Sequence, residues 1–346
     1  MIEMHEAQSR SGAPGRGRSL MVAACVFALL AVAGGVGTAW VLRTGGGPRG
    51  AEASSVRAGE ASDAIDSISA AARDYLVAGE DGRARAVLEA GVREHPESRD
   101  LRVLLGTLEM QAANYEAAYR QFEAALAIGP RDARTEFAAG TLAARLGRDD
   151  RAIEHYAAAQ TGDPGNPDYP LYLAQIQMRR GELTAASASL VRASRLGPDR
   201  AIVWGSLAEV ELRQNRPGVA LQQVARAREL EPRVAAWRVI EARALNRRGE
   251  PEAALEVLLS LPEGDRRSVE MLRLIAESYG MLGRAGDAAS MFASAADAEP
   301  TSGALWFEAA VWAERVGDRD EALRRASHAA MLGDETASKM VDRLRG

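Results

Sequence analysis

The chain has 346 residues, of which 47% are hydrophobic, 26% charged and only 5% aromatic, with a formal net charge of −5. That apolar content suffices for a large folded domain. The interspersed, slightly acidic charge lacks the basic stripe that nucleic-acid binding needs, and Cys25, the sole cysteine, rules out an intramolecular disulfide. Forty-two of the 43 basic residues are arginine, Lys339 being the exception, and with abundant Ala and Gly this points to a GC-rich bacterial genome.

Residues 1–18 are polar, Gly/Ser-rich and carry Arg10, Arg16 and Arg18; they read as a disordered tail. Leu20 to Leu42 then runs for 23 residues without a charge, Trp40 lies near its end and Arg43 closes it. A helix of that length, at about 1.5 Å per residue, crosses a bilayer core of about 30 Å. Residues 19–42 are therefore expected to form a signal-anchor transmembrane helix. Cleavage after Ala31-Val32-Ala33 is the competing reading, since small-x-small follows a short apolar core. The arginines beside the span favour a cytoplasmic N-terminus and an extracytoplasmic remainder. That places the protein in a bacterial inner membrane with its bulk in the periplasm. Ala31, Gly35 and Ala39 share one helix face, and small residues four apart permit close helix packing in lipid. Self-association through them would make a homo-oligomer. Residues 43–62, with Gly45-Gly46-Gly47-Pro48, read as a flexible linker.

From about residue 63 a 34-residue period governs the chain. Prolines stand at Pro96, Pro130, Pro164, Pro198, Pro232 and, after a gap at Arg266, Pro300. An alanine column runs Ala84, Ala118, Ala152, Ala186, Ala220, Ala254, Ala288 and Ala322. Within each copy, apolar residues recur at helical spacing in two halves, as in Leu101, Leu104, Leu105, Leu108 and then Ala118, Phe122, Ala125, Leu126. Glycine-bearing turns such as Gly147-Arg148-Asp149 and Gly283-Arg284 separate the halves, and proline ends the second. The expectation is an all-α array of two-helix units, with the alanine where the two helices cross. Glu335–Leu344, with Ala337, Met340, Val341 and Leu344 on one face, reads as a capping helix.

Two-helix units of this length resemble the tetratricopeptide repeat (TPR) family. The second copy carries Leu105-Gly106, Ala118, Phe122, Ala125 and Pro130; the fifth Trp204, Leu207-Ala208, Ala220, Ala227 and Pro232. The seventh has Tyr279, Ala288, Phe292, Ala295 and Pro300, while the sixth departs with Leu261 where alanine is usual. The resemblance implies a right-handed superhelix of about eight units over 63–346, with first helices lining a concave groove for a protein partner. Carried over by register, the groove positions are Val103, Thr107, Met110, Phe137, Thr141, Leu171, Gln175, Met178, Glu209, Leu212, Val239, Arg243, Asn246, Arg273 and Glu277. They are apolar toward the N-terminal copies and charged from the sixth copy onward. The Lys and Asn that grip a C-terminal carboxylate in some family members are absent from the matching positions.

No catalytic constellation is present in the sequence. His5, His95, His155 and His328 fall in unrelated repeat phases with no Cys or second His at ligand spacing, and there is no Walker loop or nucleophile elbow. No enzyme activity, cofactor or metal is expected. Two functions follow: a membrane-tethered scaffold assembling an envelope complex (cytochrome c maturation, pilus or secretion, polysaccharide export), or a chaperone-like holder of unfolded secreted chains.

Overall fold

A computed structural model describes the backbone from residue 50 and the side chains from residue 61. The signal-anchor stretch 19–42, with Ala31, Gly35 and Ala39, lies outside the described residues. Among the described residues no helix is long and apolar enough to cross a membrane.

The described chain is all-α, with seventeen α-helices. Eight pairs follow one another: α1 (Gly50–Val77) with α2 (Asp81–Glu94), α3 (Arg99–Gln111) with α4 (Tyr115–Ile128), α5 (Ala133–Arg145) with α6 (Asp149–Gly162), and α7 (Asp168–Arg179) with α8 (Leu183–Leu196). Then come α9 (Ala201–Arg213) with α10 (Pro217–Leu230), α11 (Ala235–Arg248) with α12 (Pro251–Leu259), α13 (Val269–Met281) with α14 (Ala285–Ala298), and α15 (Gly303–Arg315) with α16 (Arg319–Met331). The last helix is α17 (Glu335–Arg345).

One expectation is corrected at the start. α1 begins at Gly50, inside the stretch read as a linker. The residues after Pro48 are rich in alanine and contain no further proline, so nothing there stops a helix.

Each pair closes on the alanine column. All eight of these alanines have zero exposure. A larger side chain there would push the crossing helices apart, because the interior is close-packed. The turn between the helices recurs with equal regularity. Residues 79, 113, 147, 181, 215, 249, 283 and 317 all have positive φ, and six are glycine. Ala113 (φ 60°) and Asn215 (φ 59°) hold the same left-handed turn without glycine.

The sixth unit is irregular. α12 has 9 residues, whereas the other second helices have 13 or 14. Leu261 replaces the small residue of the other copies, and Pro262 lacks an amide hydrogen and disfavours helix for the residue before it. The helix stops early, a 3₁₀ turn at Asp265–Arg267 follows, and Leu261 is itself buried.

At the C-terminal end, α17 lays Met340, Val341 and Leu344 onto Ala310, Ala313, Ala322 and Ala326, and its Ala337 is buried as well. Its N-cap Asp334 accepts from the Ala337 amide at 2.8 Å.

Candidate protein-binding groove

First helices of neighbouring units meet through their side chains, and the clearest meeting is between α5 and α7. Phe137 on α5 lies 5.2 Å and 5.1 Å from the ring centres of Tyr169 and Tyr172 on α7, and 5.6 Å from Tyr156 on α6. Phe137 and Tyr172 remain half-buried, so this aromatic cluster presents an accessible face. Tyr156 is sealed beneath it; burial pushes its phenol up to about 12, and its hydroxyl lies 3.4 Å from Thr141 Oγ1.

The fifteen groove positions divide by burial. Val103, Thr107, Met110, Phe137, Thr141, Gln175 and Met178 are half-buried, as are Glu209, Arg243, Asn246 and Arg273; Glu277 is exposed. Leu171, Leu212 and Val239 are buried, and for these three the groove assignment is corrected. They pack into the apolar clusters between units, because a first helix in a stack turns part of the same face toward its neighbour. Thr107 and Thr141 spend their hydroxyl protons on the Val103 and Phe137 carbonyls of their own helices, at 2.8 and 2.9 Å.

The charged half of the strip is largely self-paired. Arg243 Nη1 donates to Glu209 at 2.9 Å. Arg273 makes a two-bonded pair with Glu308, at 2.9 and 2.7 Å. The Asn246 amide donates to Ser278 at 2.9 Å. Glu277 has no direct ion pair among the described residues. Its carboxyl is held above the usual range because surrounding protein displaces water, with Glu308 adding repulsion against the pull of Arg273 and Arg243.

Three features escaped the sequence reading. First, the indole of Trp237 fills the space above Gly205, and that of Trp312 the space above Gly280; a Cβ on either glycine would lie 2.0 Å or 2.4 Å from a ring carbon. Both pairs are separated by 32 residues, a spacing visible in the sequence only once the stacking is known. Second, His155 is buried between two carboxylates, Nδ1 at 2.7 Å from Glu136 and Nε2 at 2.9 Å from Glu123. Arg131 reaches Glu136, and Arg151 reaches Glu123. The third is a column of arginines, Arg179, Arg213 and Arg247, each donating to a carbonyl near the end of the preceding unit's first helix: Ala144, Met178 and Leu212. These cations sit where the helix dipole is negative. Among the described residues no group of three or more His, Cys, Asp or Glu is placed to hold a metal ion.

Comparison with known proteins follows the same lines. A tetratricopeptide repeat family model matches residues 143–210, and a second model of that description matches residues 103–167 and 207–268. The low calcium response locus protein H of Yersinia pestis is 28% identical over 92 residues, which is 27% of this chain and 55% of that protein. The chain thus spans about half the length of the curated relatives it matches. A solved tetratricopeptide repeat protein from Parabacteroides merdae is 14% identical and superimposes at TM-score 0.50, covering 82% of this chain and 100% of the other. The solved pilF of Pseudomonas aeruginosa is 18% identical with TM-score 0.51, covering 63% of this chain and 99% of the other. Residues 103–268 thus match tetratricopeptide repeat models, and the stacked two-helix fold is shared with solved repeat proteins over most of the chain.

Proposed function

We propose that this chain is a single-pass, membrane-tethered scaffold whose repeats lie outside the cytoplasm of a bacterium. There they bind another envelope protein along the first-helix strip and support assembly of a complex. The observation that carries this reading is the half-buried face of Met110, Phe137, Thr141, Tyr172 and Met178 on the first helices, centred on the Phe137–Tyr172 ring contact. Apolar anchors of this kind suit an extended or helical segment of a partner. Support for the tether is the uncharged stretch Leu20–Leu42, and support for the orientation is Arg10, Arg16 and Arg18 before it. Assembly of pili, secretion systems, c-type cytochromes or polysaccharide exporters are the envelope tasks this reading covers.

The test is site-specific photocrosslinking in living cells. The full chain carries a photoreactive residue in place of Phe137, of Thr141, or of Glu229, which is exposed on a second helix. The first two positions are expected to capture the same envelope protein, and the third not. Identical adducts from all three positions, or none from the strip, would overturn the proposal. A second reading rests on the two methionines beside the aromatics, since a thioether adapts to many shapes. A holder of unfolded secreted chains would yield many weak adducts from the strip in place of one.

A further inference from the structure

Arginines tie each unit to the next across every boundary but one. Arg85 pairs with Glu109 at 2.8 Å between the first and second units, and Arg148 with Glu116 at 2.9 Å between the second and third. Arg179 reaches Asp149 between the third and fourth, and Arg213 the Met178 carbonyl, at 3.3 Å, between the fourth and fifth. Arg243 meets Glu209 between the fifth and sixth, and Arg273 meets Glu308 between the seventh and eighth. Arg343 and Arg319 tie α17 to the eighth unit. Between the sixth and seventh units no arginine crosses, and no ion pair is formed among the described residues. The arginine column that caps the preceding helix has Met281 at this point, half exposed, where Arg247 and Arg315 stand one unit before and after. The same boundary holds the shortened α12 and the turn around Pro262 and Gly264.

What crosses this boundary is apolar. Leu258, Leu261, Met271, Leu274 and Ile275 share one cluster, and among the described residues the side-chain hydrogen bonding between α11 and α13 is the Asn246–Ser278 pair. Apolar burial is non-directional; it holds two units together without fixing their angle. Ion pairs and hydrogen bonds are directional and do fix it. In a repeat array, whose stability sums unit and neighbour terms, the interface that no arginine crosses is where cooperativity breaks.

We infer that the boundary between α12 and α13 is a built-in joint. The block α13–α17 opens and turns as one body relative to the units before it. The charged half of the strip crosses this joint, so its motion changes the spacing between Arg243 on one side and Glu277 and Arg273 on the other. A partner lying along the strip would be clasped or released by it. The joint itself rests on packing alone and does not depend on the proposed function.

Native-state hydrogen exchange on the full chain in detergent, across a low denaturant series, tests this. The expected result is a step in protection between α12 and α13, with α13–α17 sharing one opening equilibrium at least roughly tenfold more open than that of α9–α11. Met281→Arg, which places a guanidinium within reach of the Asn246 carbonyl, is expected to shrink that excess opening by roughly threefold to tenfold. The double variant Arg200→Met with Arg213→Met removes both arginine ties from the start and end of α9 to α7 and is expected to create a second step there. A gradual rise in exchange toward α17 with no step at α12, or a double variant that gains no new step, would overturn the inference.

Discussion

Gly205→Ala is the substitution for which the structure makes the sharpest demand. On an ordinary helix it would be favourable, since alanine is worth up to about 1 kcal/mol over glycine in a helix interior. Here the new methyl would lie 2.0 Å from Trp237 Cζ3 and 2.7 Å from Cε3 and Cη2. The indole must retreat by more than an ångström, yet Trp237 is 5% exposed and enclosed by Ala201, Ala208, Leu212 and Ile240. Overpacking of this severity costs about 1–3 kcal/mol and sometimes more. The net expectation is destabilisation of about 2 kcal/mol, the steric cost exceeding the propensity gain. The assay is a double-mutant cycle read by hydrogen exchange in α9–α11, with thermal melting alongside. Trp237→Leu costs stability by itself through the cavity it leaves. In that background Gly205→Ala should reverse sign and stabilise by up to about 1 kcal/mol, giving a coupling of about 3 kcal/mol. A neutral single variant, or additive effects, would refute the claim that glycine at 205 exists to admit the indole.

Other expectations follow from the same structure. Ala113→Gly should stabilise by several tenths to about 1 kcal/mol in thermal melts, because Ala113 sits at φ 60° where six other units have glycine. Gly147→Ala, at φ 75°, should cost a similar amount. Glu136→Ala should destabilise α5 and α6 by about 1–3 kcal/mol in urea titrations, since it removes the buried partner of His155 Nδ1 while Glu123 still faces Nε2. For Glu277 the pKa is raised in the folded protein, so its contribution to stability is fully present below the unfolded carboxylate value. That contribution is lost as pH rises through the folded value. Glu277→Gln should therefore melt with the parent at pH 4 and above the parent at pH 7; an unchanged difference between those pH values would contradict this.

Much of the fold was legible because it repeats. The alanine column marks helix crossings that tolerate no larger side chain, and its period located all eight pairs. The turn glycines marked six left-handed residues; Ala113 and Asn215 hold the same turn without a glycine to mark it. The site was less legible. The groove positions mix accessible residues, such as Phe137 and Met178, with Leu171, Leu212 and Val239, which are closed off by the neighbouring unit. That division depends on which large side chains arrive from the next helix, and a single-unit pattern carries no such information. Trp237 and Trp312 illustrate it: each fills the space over a glycine of the unit before, Gly205 and Gly280. The His155 network was hidden for a related reason, since its carboxylates come from different helices, α4 and α5. The arginine column, by contrast, was present at 34-residue spacing and could have been found by extending the alanine test to charged residues.

The tethered, extracytoplasmic scaffold is tested most directly by protease accessibility in spheroplasts, combined with the intact mass of the untreated protein. The account predicts that the repeats are digested by protease added from outside, and that the mature chain keeps residues 1–42. Repeats protected until the cells are lysed would place them in the cytoplasm and contradict the topology. A mature mass beginning near Gly34 would contradict the tether.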